Sequence, residues 1–291
     1  MKMSFRDEIG KRMKEYYEQI TKTKLMRRTP VIIRIDGKAF HTFTRGFEKP
    51  FDEILIQSMQ ETTKYLCENI QGCVLGYTQS DEISLVLVDY QTFHTAAWFD
   101  YEVQKMVSVA ASMATMAFNR IFTQNVNNYC IREAENREDA GKRAAYYKAI
   151  MQGALFDARV FNIPKEEVTN CIYWRQLDAS RNSIQMVGQA MFPHKELQGK
   201  SCNDIQDMLM EQKGVNWNDF PAYKKRGSCV IKEEYYIYVD EDGVPEEIAP
   251  DEVDYFQDEV SVRTRWRIDK NIPIFKEEGR EYIERLICPV E

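Results

Sequence analysis

The sequence predicts an α+β chain, with a core of four strands and two helices followed by a helical and small β C-terminal extension. Three observations predict it. A dense β-branched run, Val31–Ile35, has the length of a buried strand and stops at Asp36–Gly37, a turn signal. Apolar or small residues at steps of three and four mark amphipathic helices over 53–70 and about 98–126. Between those helices, Cys73–Tyr77 and Ile83–Val88 read as two strands joined by the short polar segment Thr78–Glu82, a β-hairpin.

In chain order, residues 5–20 read as a helix with Phe5, Ile9, Met13 and Tyr16 or Tyr17 on one face, ended before Pro30. After the first strand, residues 38–52 form a loop or short helix carrying Phe40, Phe43, Phe47 and Phe51. The helix over 53–70 turns Leu55, Met59, Thr62, Leu66 and Ile70 inward. The longer helix presents Val103, Met106, Val107, Ala110, Ala114, Ala117, Phe118 and Ile121, and its small residues suit close packing on a sheet. Residues 127–152 are polar and charged and read as an insertion with its own helix, and Asp157–Asn162 reads as a fourth strand. The order β, α, β-hairpin, α, β is the ferredoxin-like split βαβ pattern, which also serves as the palm of many polymerases and cyclases. Residues 1–162 are therefore expected to form a palm-like catalytic domain, and 163–291 a second region. There the spacing predicts helices over 165–178, 182–192 and 202–212, and an irregular loop at 214–223. Gly227–Ile231 and Tyr235–Val239 are expected to pair as strands. Asp240–Asp254 reads as a solvated acidic loop, and Val262–Arg267 as a last strand.

With 291 residues, 44% of them hydrophobic and 12% aromatic, the chain can bury a sizeable core. A net charge of -7 argues against a uniformly basic nucleic-acid binder, but the 39 Lys and Arg residues can be gathered on one face. Seven cysteines occur without a CxxC spacing, and none of the three histidines lies near a cysteine pair. This excludes a structural zinc site on spacing and predicts free thiols in a reducing cytoplasm. The N-terminal segment is highly charged with no apolar stretch, and no run approaches the ~18 apolar residues needed to span a bilayer. A soluble, cytoplasmic protein without a membrane partner is expected.

Two short motifs carry the chemistry. In Ile33–Gly37, an Asp at the end of a buried strand presents a carboxylate to a cation, and Gly37 lets its carbonyl approach the same ion. Such hard oxygen donors suit Mg²⁺, which keeps one or two carboxylates and completes its shell with water and phosphate. The N–H groups that follow, Lys38 to His41, can cradle phosphate oxygens, although Asp-Gly after a strand is by itself only a turn. In Gln79–Glu82, the hairpin tip bears Asp81. A split βαβ fold sets the first strand beside this hairpin, so Asp36 and Asp81 can face each other, as in two-metal phosphoryl transfer. Basic residues form a third set. Arg175, Arg181, Lys200 and the trio Lys224–Lys225–Arg226 are candidate RNA contacts, with Trp174 and Trp217 able to stack on bases or to pack in the core.

Five ordered blocks resemble the tRNA-histidine guanylyltransferase superfamily: Arg34–His41 (RIDGKAFH), Phe47–Pro50 (FEKP), Gly76–Glu82 (GYTQSDE), Phe156–Val160 (FDARV) and Tyr173–Gln176 (YWRQ). The resemblance runs in order across roughly residues 30–230. It implies a palm-like core that adds nucleotides to the 5′ end of tRNA in the 3′-to-5′ direction, using two Mg²⁺ ions and ATP or GTP as substrate. By matching motif, Asp36 and Asp81 would be the magnesium carboxylates and the Gly37 carbonyl a further ligand. The backbone of Gly37, Lys38, Ala39, Phe40 and His41 would wrap the triphosphate, with Ser80 and Lys49 nearby. The resemblance also implies a homo-oligomer, a dimer or a tetramer built from dimers.

One departure narrows the expectation. Where the eukaryotic members carry His-Ile-Asn-Asn-Leu-Tyr, this chain has Ser180–Gln185 (SRNSIQ), and only Asn182 agrees, so Asn182 joins the nucleotide-binding candidates. The chain thus resembles the bacterial, archaeal and phage-type branch, which favours template-directed repair of 5′-truncated tRNA. The expected activity is templated 3′-to-5′ nucleotide addition. Its rivals are non-templated guanylate addition to histidine tRNA, a palm-fold nucleotide cyclase and a non-catalytic tRNA-binding protein.

Overall fold

The computed structural model describes residues 5–133, 139–239, 245–248 and 260–288. The N-terminal helix α1 (Phe5–Met13) continues through a π turn (Lys14–Glu18) and a 3-10 turn (Gln19–Thr21). The core follows as β1 (Val31–Gly37), α2 (Phe40–Phe43), α3 (Glu53–Asn69), β2 (Cys73–Gln79), β3 (Glu82–Leu87), α4 (Val103–Arg132), α5 (Ala140–Gln152) and β4 (Phe156–Asn162). The rest of the chain is α6 (Val168–Met191), α7 (His194–Leu197), α8 (Cys202–Lys213), α9 (Ala222–Arg226), β5 (Ser228–Val239), β6 (Pro245–Ile248), β7 (Val260–Asp269) and α10 (Glu281–Glu284).

Among the described residues the strands join one sheet in the order β4-β1-β3-β2-β5-β6, with β7 also on β5, and these pairings are antiparallel. The first four strands give the 4-1-3-2 order of the split βαβ core, so the predicted α+β palm-like fold is present. Alternation along β1 divides its residues between two faces. Val31, Ile33 and Ile35 pack with Ile83, Leu85 and Leu87 of β3 under α3 and α4. There Phe40, Phe43, Phe47, Phe118, Phe122, Tyr146 and Phe156 form a nest of offset and edge-to-face rings with centroids about 5–6 Å apart. Gly76 permits this packing, since a Cβ there would meet Cys67 Sγ at 2.5 Å and Thr63 Cγ2 at 2.7 Å. On the opposite face, Ile32, Val74 and Val86 pack against Val168 and Ile172 of α6 and against Phe275, Ile283 and Ile287. A third cluster joins Phe51 to Ile184 and Val187 of α6 and Ile205 and Leu209 of α8.

Three expectations change. The two helices expected over 165–178 and 182–192 are one continuous α6. No Gly or Pro interrupts Ala179–Arg181, and Ser180 Oγ donates back to the Gln176 carbonyl at 3.1 Å. The expected hairpin of Gly227–Ile231 and Tyr235–Val239 is instead the single strand β5. Its charged middle pairs across to β7, where Glu233 stands opposite Arg265 and binds both Arg265 and Arg267. The segment 127–152 does carry a helix of its own, α5, but the described parts of it are joined to the core. α4 runs through it to Arg132, and Tyr146 of α5 is fully buried, its hydroxyl donating to Asp52 at 2.7 Å. Within the acidic run, Pro245–Ile248 forms β6, and the remainder lies outside the described residues. The N-terminal helix does carry an apolar stripe, and Ile9, Met13, Tyr16, Tyr17 and Ile20 on it are exposed. Among the described residues, no helix is long and apolar enough to cross a membrane.

Candidate active site

The end of β1 and the tip of the β2–β3 hairpin meet as the fold order requires. In the register of β1 and β3, Asp36 stands directly opposite Glu82, and the Gly37 N–H donates to the Asp81 carbonyl at 3.0 Å. Ser80 and Asp81 form the two-residue turn, with Ser80 at φ 50°, a left-handed conformation costly for a side chain other than glycine. The Ser80 hydroxyl donates to the Asp81 carboxylate at 3.0 Å. Burial raises the Asp81 carboxyl above the ordinary range for Asp, and the charge of Asp36 adds to the rise. A buried carboxylate whose ionisation is disfavoured by burial and by a neighbouring carboxylate invites a cation. Among the described residues no three His, Cys, Asp or Glu side chains cluster to hold a metal. Two carboxylates and a nearby carbonyl nevertheless fit Mg²⁺, which takes few protein ligands and fills its shell with substrate phosphate and water.

Beyond Gly37 the chain turns sharply through Ala39, at φ 55°, into α2. Gly37 is required by packing, because a Cβ there would fall 2.3 Å from Cδ2 of Phe40, whose ring is locked in the aromatic nest. The N–H groups of Gly37 and Lys38 are spent inside the protein, on Asp81 O and on Leu155 O (2.8 Å). Only part of the expected phosphate cradle therefore remains. Ala39, Phe40 and His41 have no backbone acceptor for their N–H groups among the described residues, while Thr42 and Phe43 donate to the Ala39 carbonyl. Lys49 is exposed in the loop leading to α3.

A cleft opens beside the hairpin tip between α3, α6 and α9. It is lined by Gln79 and Ser80 of the hairpin, Asn182 and Met186 of α6, and Tyr223 and Lys224 of α9. Asn182 and Ser80 thus share one cavity although 102 positions separate them. The basic trio is divided. Lys224 reaches the cleft and pairs with Glu53. Lys225 is buried, its ammonium on the Asn218 carbonyl and over the Trp217 ring, so it does not offer the expected RNA contact. The Arg226 carbonyl accepts from Tyr77 Oη at 2.7 Å. Arg181 is exposed and paired with Asp178, and Lys200 is exposed beyond α7.

Arg175 also departs from the expectation. It is buried, with Nε 2.6 Å from Glu82 Oε1 and Nη2 2.7 Å from Glu82 Oε2, and Nη2 also reaches Asp178 at 3.0 Å. Burial opposes the charge on Arg175, but the Glu82 hydrogen bonds outweigh it and raise its pKa. A bidentate ion pair thus ties α6 to the residue that follows Asp81. Two further features escaped the sequence reading. Asp157 of β4 stands directly opposite Asp36 on its other side, and Arg159 stands opposite Arg34. The signal was the alternation in Phe156–Phe161, where Phe156, Ala158 and Val160 turn inward and Asp157 and Arg159 outward.

A bacterial tRNA(His) guanylyltransferase-like protein in complex with ATP superposes at a TM-score of 0.73 with 40% identity, over 96% of this chain and 99% of that one. A bacterial guanylyltransferase-like protein in complex with GTP gives a TM-score of 0.69 and 38% identity over the same shares. An uncharacterized protein of Acanthamoeba polyphaga mimivirus is 29% identical over 238 residues, 77% of either chain. The tRNAHis guanylyltransferase family itself matches residues 10–164, more than half of the chain and all of the palm-like core. With its paired aspartates at the end of β1 and the hairpin tip, this chain belongs to that family of nucleotidyltransferases.

Proposed function

We propose that the protein adds nucleotides to the 5′ end of tRNA in the 3′-to-5′ direction, directed by the opposing template base, and so repairs truncated 5′ ends. The observation that carries this reading is the end of β1, where the Gly37 N–H donates to the Asp81 carbonyl and the Asp36 charge acts on the Asp81 carboxyl, beside a turn with free N–H groups at Ala39, Phe40 and His41. Asp36, Asp81 and the Gly37 carbonyl would hold two Mg²⁺ ions, which supply charge neutralisation for the triphosphate and activation of the attacking hydroxyl. The turn N–H groups would bind phosphate oxygens, with Ser80 and Lys49 near the triphosphate. Asn182 and Lys224 line the neighbouring cleft, where Asn182 would meet the nucleotide and Lys224 the RNA. ATP and GTP are the nucleotides held by the bacterial relatives, and both are proposed as substrates here. The protein is proposed to work in the cytoplasm as a homo-oligomer, whose joined surfaces would offset the net charge of -7 by building a composite basic groove.

The test is incubation with a tRNA lacking its first 5′ nucleotide, in each nucleoside triphosphate separately, with and without a chelator. Extension by one nucleotide only with the complement of the unpaired template base, lost on chelation, is expected. Guanylate addition regardless of the opposing base would replace templated repair with non-templated addition. A cyclic nucleotide made without RNA would replace transfer to tRNA altogether.

A further inference from the structure

The sheet face that carries Asp36 also carries a cationic and aromatic patch outside the set of residues just assigned. Trp174, on α6, is 53% exposed, although a tryptophan side chain is among the costliest to leave in water. Two guanidinium groups lie over its ring, Arg175 at 4.5 Å and Arg34 at 5.6 Å from the centroid. Arg175 is committed to Glu82, but Arg34 has no carboxylate within 4 Å among the described residues. In the β1–β4 register Arg34 stands directly opposite Arg159, an unfavourable pairing of like charges, and Arg159, half-exposed on an edge strand, has only an exposed partner, Asp157 at 3.3 Å. Leu177, one turn further along α6, and Phe161, on the same face of β4, are also exposed. One short stretch of surface thus holds two arginines set against each other, an exposed indole and two apolar neighbours, two residues along β1 from Asp36. Its charge is opposite to that of the carboxylates beside it and complementary to a phosphate chain.

We infer that Trp174, Arg34 and Arg159 form the docking platform for the 5′-terminal nucleotide of the RNA. The indole stacks on the terminal base, and the two guanidinium groups hold the adjoining phosphates. Stacking suits a site that must accept any 5′ base, because every base offers a π face, whereas hydrogen-bond readout would select one. Arg34, the looser of the two cations on the ring, gives way to the base and turns to phosphate. Arg159 lies over the backbone that leads away from the carboxylates. This inference rests on the proposed transfer to RNA.

The test measures binding without turnover. The full-length protein is titrated into a fluorescent acceptor-stem hairpin RNA with a 5′ phosphate and one missing 5′ nucleotide, in the absence of nucleoside triphosphate. Trp174→Ala is expected to weaken RNA binding roughly 5- to 100-fold, and Trp174→Phe to keep most of the affinity. Arg159→Gln, an exposed substitution that leaves the core intact, is expected to lower the slope of log affinity against log salt by about 1. Unchanged RNA binding in Trp174→Ala, or an unchanged salt slope in Arg159→Gln, would overturn the platform. So would an equal loss of free GTP and RNA affinity in Trp174→Ala, because the stacked base would then be that of the incoming nucleotide. A wild-type protein that does not bind the hairpin at all would instead sink the proposed transfer to RNA.

Discussion

The two faces of the β1–β3–β4 ladder share the same strands and differ in almost every other respect. One face is apolar throughout, as Ile33, Ile35, Ile83, Leu85, Ala158 and Val160 meet α3, α4 and the nest of rings. The other begins apolar, at Ile32 and Val86, and becomes polar and mostly ionic within one strand repeat, at Ser84, Arg34, Asp36, Glu82, Asp157 and Arg159. The strands are the same, so the difference lies wholly in which of two alternating residues faces which way. Stability is concentrated on the first face, which frees the second to hold like charges close together. Beside the carboxylates, where α6 crosses it beyond the apolar cluster of Ile32, Val86 and Ile172, the second face is tied down by the Glu82–Arg175 pair.

Substitutions at neighbouring positions on opposite faces should separate these two roles. The largest effect is expected from Asp36→Ala or Asp81→Ala. Each should lower nucleotide addition by about 10³-fold or more, the loss of several kcal/mol of charge stabilisation, with far-UV circular dichroism unchanged. Arg175→Ala should destabilise the fold by about 3–5 kcal/mol in a denaturant titration, because Glu82 is left buried and unpaired. Converting the pair together, as Arg175→Met with Glu82→Leu, should return most of that stability without restoring addition. If it restores both, the pair has no part in placing the hairpin. Ile35→Ala, one residue from Asp36 on the apolar face, should cost about 2–5 kcal/mol in stability while the folded fraction keeps its activity.

Two smaller effects refine the contrast at the hairpin tip. Ser80→Gly should raise stability by about 1 kcal/mol by relieving the positive φ, and weaken nucleotide binding by removing the hydroxyl. Asp81→Asn should raise the melting temperature at neutral pH. The folded Asp81 carboxyl titrates above its unfolded value, chiefly through burial, so its favourable contribution is present only in acid and is lost as pH rises through the folded pKa. Removing the charge removes that loss. A melting temperature that falls instead would mean that the Asp81 carboxylate is stabilised by its surroundings and not strained by them.

Much of the palm was legible because its signals are local. The β-branched Val31–Ile35, the steps through Leu55–Leu66 and the alternation around Ile83–Val88 each fix an element by periodicity, and their order fixes the topology. The meeting of Asp36 with the hairpin followed from that order. The misread elements were those decided by distant partners. Lys232–Glu234 looks like a turn until Trp266, Arg265 and Thr264 stand opposite, and α6 looks broken at Ser180 until its hydroxyl is seen bonding back within the helix. The same holds for the charged candidates. Arg175 and Lys225 read as surface residues, and only the packing of α6 and α9 shows what buries them. A phosphate turn could be read from Asp-Gly, but not that Asp81 and Leu155 would take the first two N–H groups.

The central claim, that the polar face holds the metal-bound nucleotide through Asp36 and Asp81, is tested most directly by Mn²⁺ binding followed by electron paramagnetic resonance in the presence of GTP. Two bound Mn²⁺ ions per chain in the wild type, with loss of at least one in both Asp36→Ala and Asp81→Ala but not in Ile35→Ala, is the predicted result. Equal Mn²⁺ binding in the wild type and in both aspartate variants would contradict it.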